Sequence, residues 1–280
     1  MTRPGDWLRS LPTELSAQRA ILDAFVATAS EDDRIRALVV GCSIGRGAAD
    51  RLSDIDALFG VRPDAWESAL ASSREWVERA GRVADMNQLI LPEGAAPGKD
   101  YQHTYALYAN GVELDLVVSR VREDWRRRAD WVVLYDADGS IPEDVRAWTQ
   151  TADDLKRWAY AALTRLNALA KYLERGALWE AHLCLENARA DLWRICALAA
   201  GVPDAQFGVT AVFDDPRRPI PAGIERTVAG LDRTALLVAA IACCDLLIDT
   251  WRPAADALGE RLALPPLATH VRERLRGLMT

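Results

Sequence analysis

The stretch "LVVGCSIGRGAADRLSDIDALFGV", Leu38–Val61, decides how the rest of the chain is read. An apolar run meets three glycines, Gly41, Gly45 and Gly47. Two aspartates separated by one residue follow, Asp54 and Asp56, and then apolar residues resume. The flanking runs, Arg36–Gly41 and Asp54–Val61, read as strands. The glycine spacing G-x-x-x-G-x-G also occurs in nicotinamide-binding turns, where backbone N–H groups approach a pyrophosphate. That possibility fails on length. A crossover helix needs a connection of about 10–12 residues, and only Ala48–Ser53 separate Gly47 from Asp54. The Y-x-x-x-K pair of short-chain dehydrogenases is absent as well.

The aspartate pair needs a reason, because aspartate is depleted in strands. Side chains at i and i+2 of a strand share a face, which puts these carboxylates within about 7 Å. Two such charges about 6 Å apart repel by roughly 3 kcal/mol at an effective dielectric constant near 20. Either the face is open to water, or a cation lies between them. Magnesium is held by one or two carboxylates completed by substrate phosphates. A third carboxylate is available in "VELDLVV", where Asp115 sits between Leu114 and Leu116 with Glu113 on the same face. Asp115 is the better choice, since it lies deeper in the apolar run, where an unpaired charge costs most.

Helical spacing marks Thr13–Ser30 and Asp64–Ala80, and Met86–Leu91 reads as a strand. Asn110–Gly111 between two β-type runs is a hairpin signal that pairs His103–Ala109 with Val112–Ser119. "WVVLYD" is a further strand. Beyond about Pro142, Ala152–Gly176, Ala177–Ala200 and Leu231–Leu258 read as long alanine- and leucine-rich helices. The proline-bearing Val202–Ile224 reads as a loop. The expected fold class is α+β. A mixed, partly antiparallel sheet occupies residues 1–145, and an all-helical domain occupies 146–280.

The chain has 280 residues, half of them hydrophobic, and a net charge of −7. An acidic balance argues against nucleic acid as the partner, since phosphate binding needs a basic surface. Five cysteines without a C-x-x-C pair suit neither a disulfide framework nor a structural zinc site and point to the cytoplasm. The longest apolar run, Ala235–Cys244, is too short to span a bilayer, so no membrane partner is expected.

"CSIGRGAADRLSDID" followed by "GVELDLVV" resembles the nucleotidyltransferase superfamily that includes DNA polymerase β. Ser43 matches its serine, Asp54 and Asp56 its D-x-D pair, and Asp115 its third acid. Cys42 falls where the superfamily has glycine. With "ALAKYLERGALWEAHLCLENARADLWRICALAAGV", roughly residues 15 to 275 are similar to the aminoglycoside 6-adenylyltransferases, which modify streptomycin. The resemblance implies two magnesium ions on Asp54, Asp56 and Asp115, with ATP as donor. AMP would pass to a hydroxyl of a small molecule, an aminoglycoside first, with release of pyrophosphate. Another acceptor (drug, metabolite or protein) is the alternative, and so is a non-catalytic nucleotide-binding module. Ser43, Gly45 and Arg46 would hold the β- and γ-phosphates, joined by Lys171 of the helical domain. The base would come from the second long helix, as His182, Glu186 or both, with Glu180 a weaker choice. Trp179 would line a pocket beside it. His103 and His270 are expected to be structural, and Arg120–Arg128 a solvated face. Oligomeric state is not legible.

Overall fold

The computed structural model describes residues 4–91, 100–122, 127–139, 141, 145–146 and 149–279. The chain divides into two compact units, Met1–Ala147 and Trp148–Thr280. The first contains, in order, α1 (Pro4–Ser10), α2 (Ser16–Glu31), β1 (Ile35–Val40), α3 (Cys42–Gly45), β2 (Ile55–Val61), α4 (Trp66–Ala80), β3 (Val83–Leu91), β4 (Tyr101–Tyr108), β5 (Glu113–Arg120), β6 (Arg127–Arg128), β7 (Val132–Asp136) and β8 (Val145–Arg146). Six strands form one mixed sheet in the order β3-β4-β5-β2-β1-β7, and β6 pairs with β8. Within the large sheet β2 and β5 run parallel. Its other neighbours are antiparallel.

One face of this sheet is covered by α2 and α4. Phe59 of β2 meets Phe25 of α2 edge-on at 5.3 Å between ring centroids and Trp76 of α4 at 5.5 Å. Strand alternation then sorts the residues. Ile55, Ala57, Phe59 and Val61 of β2, with Leu114, Leu116 and Val118 of β5, are buried against the helices. Asp56 and Asp115 therefore lie on the opposite face. The parity of two strands decides where the acids point.

The hairpin differs from its expected form by one residue. The strands end at Tyr108 and restart at Glu113. Tyr108 N–H donates to the Val112 carbonyl, and Gly111 N–H donates to the Tyr108 carbonyl. The loop thus has three residues, Ala109–Gly111, with Gly111 in the left-handed region at φ +87°, a recognised alternative to the two-residue turn. Tyr105 consequently pairs with Asp115 and His103 with Val117. A one-residue slip moves every side chain of a strand to the other face. His103 and Tyr105 therefore share the face of the acids.

The second unit holds α5 (Ala152–Glu174), α6 (Leu178–Ala199), α7 (Val209–Asp214), α8 (Arg233–Ala257) and α9 (Pro266–Gly277). A capping box starts α5: Asp154 N–H donates to Thr151 Oγ1, and Thr151 N–H donates to Asp154 Oδ2. Leu155, Ala159, Ala162, Leu163, Leu166, Leu169 and Leu173 form its buried stripe. By length and composition alone α8 is apolar enough to cross a membrane. In the fold its Leu236, Leu237, Ala240, Cys243, Cys244, Leu247 and Trp251 are buried in the helical core. The Val202–Ile224 segment, expected to be loop, contains α7 and the 3-10 turn Ala205–Phe207. Neither α1 nor α9 was anticipated. Of the arginine-rich run, residues 123–126 lie outside the described residues.

Phe59 is fully buried between both covering helices. Phe59→Ala is expected to lose about 3–5 kcal/mol of stability in urea unfolding.

Candidate active site

The loop after β1 is tied to the acid-bearing strand from its first residue. Gly41 N–H donates to the Asp56 carbonyl at 2.9 Å. Cys42 takes φ +51°, in the left-handed region that costs a non-glycine residue about 1–2 kcal/mol. It stands where the resembled superfamily has glycine. One short helical turn, α3, follows, with Gly45 N–H donating to the Gly41 carbonyl and Arg46 N–H to the Cys42 carbonyl.

Asp130, between β6 and β7, clamps this loop from below. Its side chain is only 5% exposed. Oδ2 accepts the Cys42 N–H at 3.0 Å, and Oδ1 accepts Arg128 Nε–H at 3.1 Å. Arg46 lies 3.8 Å from Oδ2. The fit is close: a Cβ on Gly45 would stand 2.0 Å from the Asp130 carbonyl oxygen. Ser43 Oγ is buried with no hydrogen-bond partner among the described residues. An unpartnered buried hydroxyl is costly. Here it suits an oxygen-rich ligand such as a phosphate.

Asp56 and Asp115 are register partners on the parallel strands β2 and β5, and adjacent strands lie only about 4.8 Å apart. Burial pushes Asp56 up to about 6; the Asp54 charge adds to this, the Cys42 thiol opposes it by hydrogen bonding, and Asp115 adds a further push. Asp54, exposed just before β2, is also raised, first by lost solvation and then by Asp115 and Glu113. The Cys42 thiol is pushed up to about 12 by burial and then by the Asp56 charge. It therefore stays protonated and serves Asp56 as a donor.

The acids share a face without closing on a common point. Among the described residues no three metal-binding side chains are already gathered into a cage. Two causes are visible. Like charges repel, and the outer acids are held by β4. His103 Nε2 lies 2.6 Å from Asp115 Oδ1, and Tyr105 hydrogen-bonds Glu113. The donor set is hard oxygen with open positions, which fits magnesium completed by phosphate oxygens.

The sequence-derived residues thus fall into two groups. Asp54, Asp56, Asp115, Ser43, Gly45 and Arg46 belong to the first unit. Lys171, His182 and Glu186 belong to the helical one. Lys171 Nζ lies 4.6 Å over the Tyr172 ring. His182 Nε2 is 3.8 Å from Glu186 Oε1, the same oxygen that Arg189 contacts at 2.5 Å. Trp179 is 74% exposed on α6. Sequence reasoning missed Asp130, His103 and Tyr105. Nothing in the spacing marks Asp130; it reaches the loop only because the strand "WVVLYD" pairs with β1, which sets the acid before it beside the end of β1.

Comparison with known proteins defines the class: the chain is a nucleotidyltransferase. It belongs to the streptomycin adenylyltransferase family, whose model matches residues 15–210. Among solved structures it is similar to an aminoglycoside 6-adenyltransferase from Bacillus subtilis, with 18% identity over 92% of this chain and 97% of that one and a TM-score of 0.39. It is also similar to a nucleotidyltransferase-like protein from Exiguobacterium sibiricum, with 14% identity over 93% and 88% of the two chains and a TM-score of 0.36. No curated protein sequence matches it.

Asp56 titrates higher in the fold, at about 6, than in an unfolded chain, about 4. The native state therefore holds the extra proton across that window, and stability falls as pH rises through it. Asp56→Asn removes the penalty. Urea unfolding is expected to show a gain of about 1 kcal/mol at pH 8, after allowance for solvent screening, and none at pH 4. Gly45→Ala is expected to cost about 1–3 kcal/mol in the same measurement, because the Asp130 carbonyl must move.

Proposed function

We propose that this enzyme transfers AMP from ATP to a hydroxyl of a small molecule, an aminoglycoside in first place, and releases pyrophosphate in a magnesium-dependent reaction. The observation that most supports this is the in-register pairing of Asp56 and Asp115 beside a loop anchored on Asp56. Unrelieved, that arrangement is repulsive. It gains a purpose if Asp54, Asp56 and Asp115 hold two divalent cations, whose charge would neutralise the triphosphate and polarise its α-phosphorus.

The acceptor oxygen forms a bond to the α-phosphorus, the bond to the bridging oxygen breaks, and that oxygen leaves on pyrophosphate with the electron pair. Phosphoryl-type transfer depends mainly on positioning and charge stabilisation. Ser43 Oγ and the loop around Gly45 hold the β- and γ-phosphates, with Arg46 adding positive charge. The base for the hydroxyl proton is sought on α6 of the helical unit, as His182, Glu186 or the two together. The helical unit selects the acceptor, and the net charge of −7 favours a polycation. The five free thiols suit a cytoplasmic enzyme working on the ATP pool there.

The test is pyrophosphate release from ATP and magnesium across a panel of aminoglycosides, with mass spectrometry of the acceptors. One acceptor is expected to gain AMP, and Asp56→Ala is expected to slow this by about 100- to 1,000-fold. Turnover only with a drug, metabolite or protein outside the panel would move the acceptor elsewhere. ATP binding without any turnover would leave a non-catalytic module, and full activity in Asp56→Ala would remove the metal assignment.

A further inference from the structure

Strand β4 presents two ring donors to the two acids of β5. His103 Nε2 reaches Asp115 Oδ1 at 2.6 Å, and Tyr105 hydrogen-bonds Glu113. Tyr105 is the register partner of Asp115, yet it does not take Asp115; the contact comes from His103, which pairs with Val117. The two acids are thereby distinguished, although they stand two residues apart on one face with the same charge. Asp115 is half-buried beside Asp56, whereas Glu113 is exposed and held by a phenol.

We propose that His103 is a positioning residue for the metal site: its Nε2–H fixes one oxygen of Asp115, so that the other is presented toward Asp54 and Asp56, while Tyr105 holds Glu113 out of the site. This rests on the proposed function, since it presumes a divalent cation on those acids. Neither nucleotide nor acceptor needs to touch His103. Nε2–H is a donor in the neutral ring as in the charged one, so the role does not depend on the proton inventory of the site. A carboxylate free to rotate on a repulsive surface turns away from its neighbours; a fixed one is ready for the cation. Partners that orient metal ligands commonly change metal affinity 10- to 100-fold when removed.

The test uses manganese(II) as the probe, with bound metal read from the loss of the free-ion electron paramagnetic resonance signal of the full-length protein. His103→Leu removes the donor, and His103→Gln keeps an N–H at similar reach. His103→Leu is expected to weaken manganese binding by about 10- to 100-fold, and His103→Gln to stay within a few-fold of wild type. Pyrophosphate release by His103→Leu is expected to fall at limiting magnesium and recover at saturating magnesium, which loss of a merely structural contact would not produce. Unchanged manganese affinity in His103→Leu, with wild type binding the ion, overturns the role of His103 alone, as does an equal loss in both variants. If wild type binds no manganese and releases no pyrophosphate, the proposed function fails first.

Discussion

Two carboxylates are held opposite one another on the only parallel strand pair of the six-stranded sheet. Asp56 and Asp115 cannot move apart without breaking the β2–β5 ladder. That ladder is secured by Ile55, Phe59, Leu114 and Leu116, all fully buried on the other face. The core therefore sustains an electrostatic conflict at the surface. Burial raises both Asp56 and Asp54, and the neighbouring carboxylates add to it. Strain of this kind persists only where surrounding structure over-determines it.

The neighbouring features follow from that pair. Gly41 is tied to the backbone of Asp56, so the loop and the first acid move together. The Cys42 thiol gives Asp56 a donor, and Cys42 itself stands in the left-handed region. Asp130 compensates by accepting the Cys42 N–H and pressing its own backbone against Gly45. The Ser43 hydroxyl in the same loop is buried with no hydrogen-bond partner among the described residues. From β4, His103 contacts Asp115 and Tyr105 hydrogen-bonds Glu113.

Much of this was legible in the sequence. Alternation through "DIDALFGV" and "VELDLVV" gave both strands and the common face of the acids, because burial on one side of a sheet enforces a period of two. The long helices α5, α6 and α8 were readable from their apolar periodicity. The hairpin was found at Asn110–Gly111, but its loop length was not. That single residue concealed His103, since the two-residue turn would direct it into the core. The short elements were hidden for local reasons. In α7 only six residues are helical, and α9 carries its buried Ala268, Val271 and Leu275 among arginines that mask the period. Asp130 could not be found from spacing, because its partners Cys42 and Arg46 lie some eighty residues earlier in the chain. Only the pairing of β1 with β7 brings them together.

The most direct test of the proposal that the acid face binds cations is the melting temperature of wild type and Asp56→Asn at pH 8, with ATP and magnesium added separately and together. A ligand present at about a hundred times its dissociation constant stabilises by about 2.7 kcal/mol. The acid face predicts that wild type is raised strongly only by the two together, and that Asp56→Asn loses most of that response. Equal stabilisation of both proteins by magnesium with ATP would contradict it.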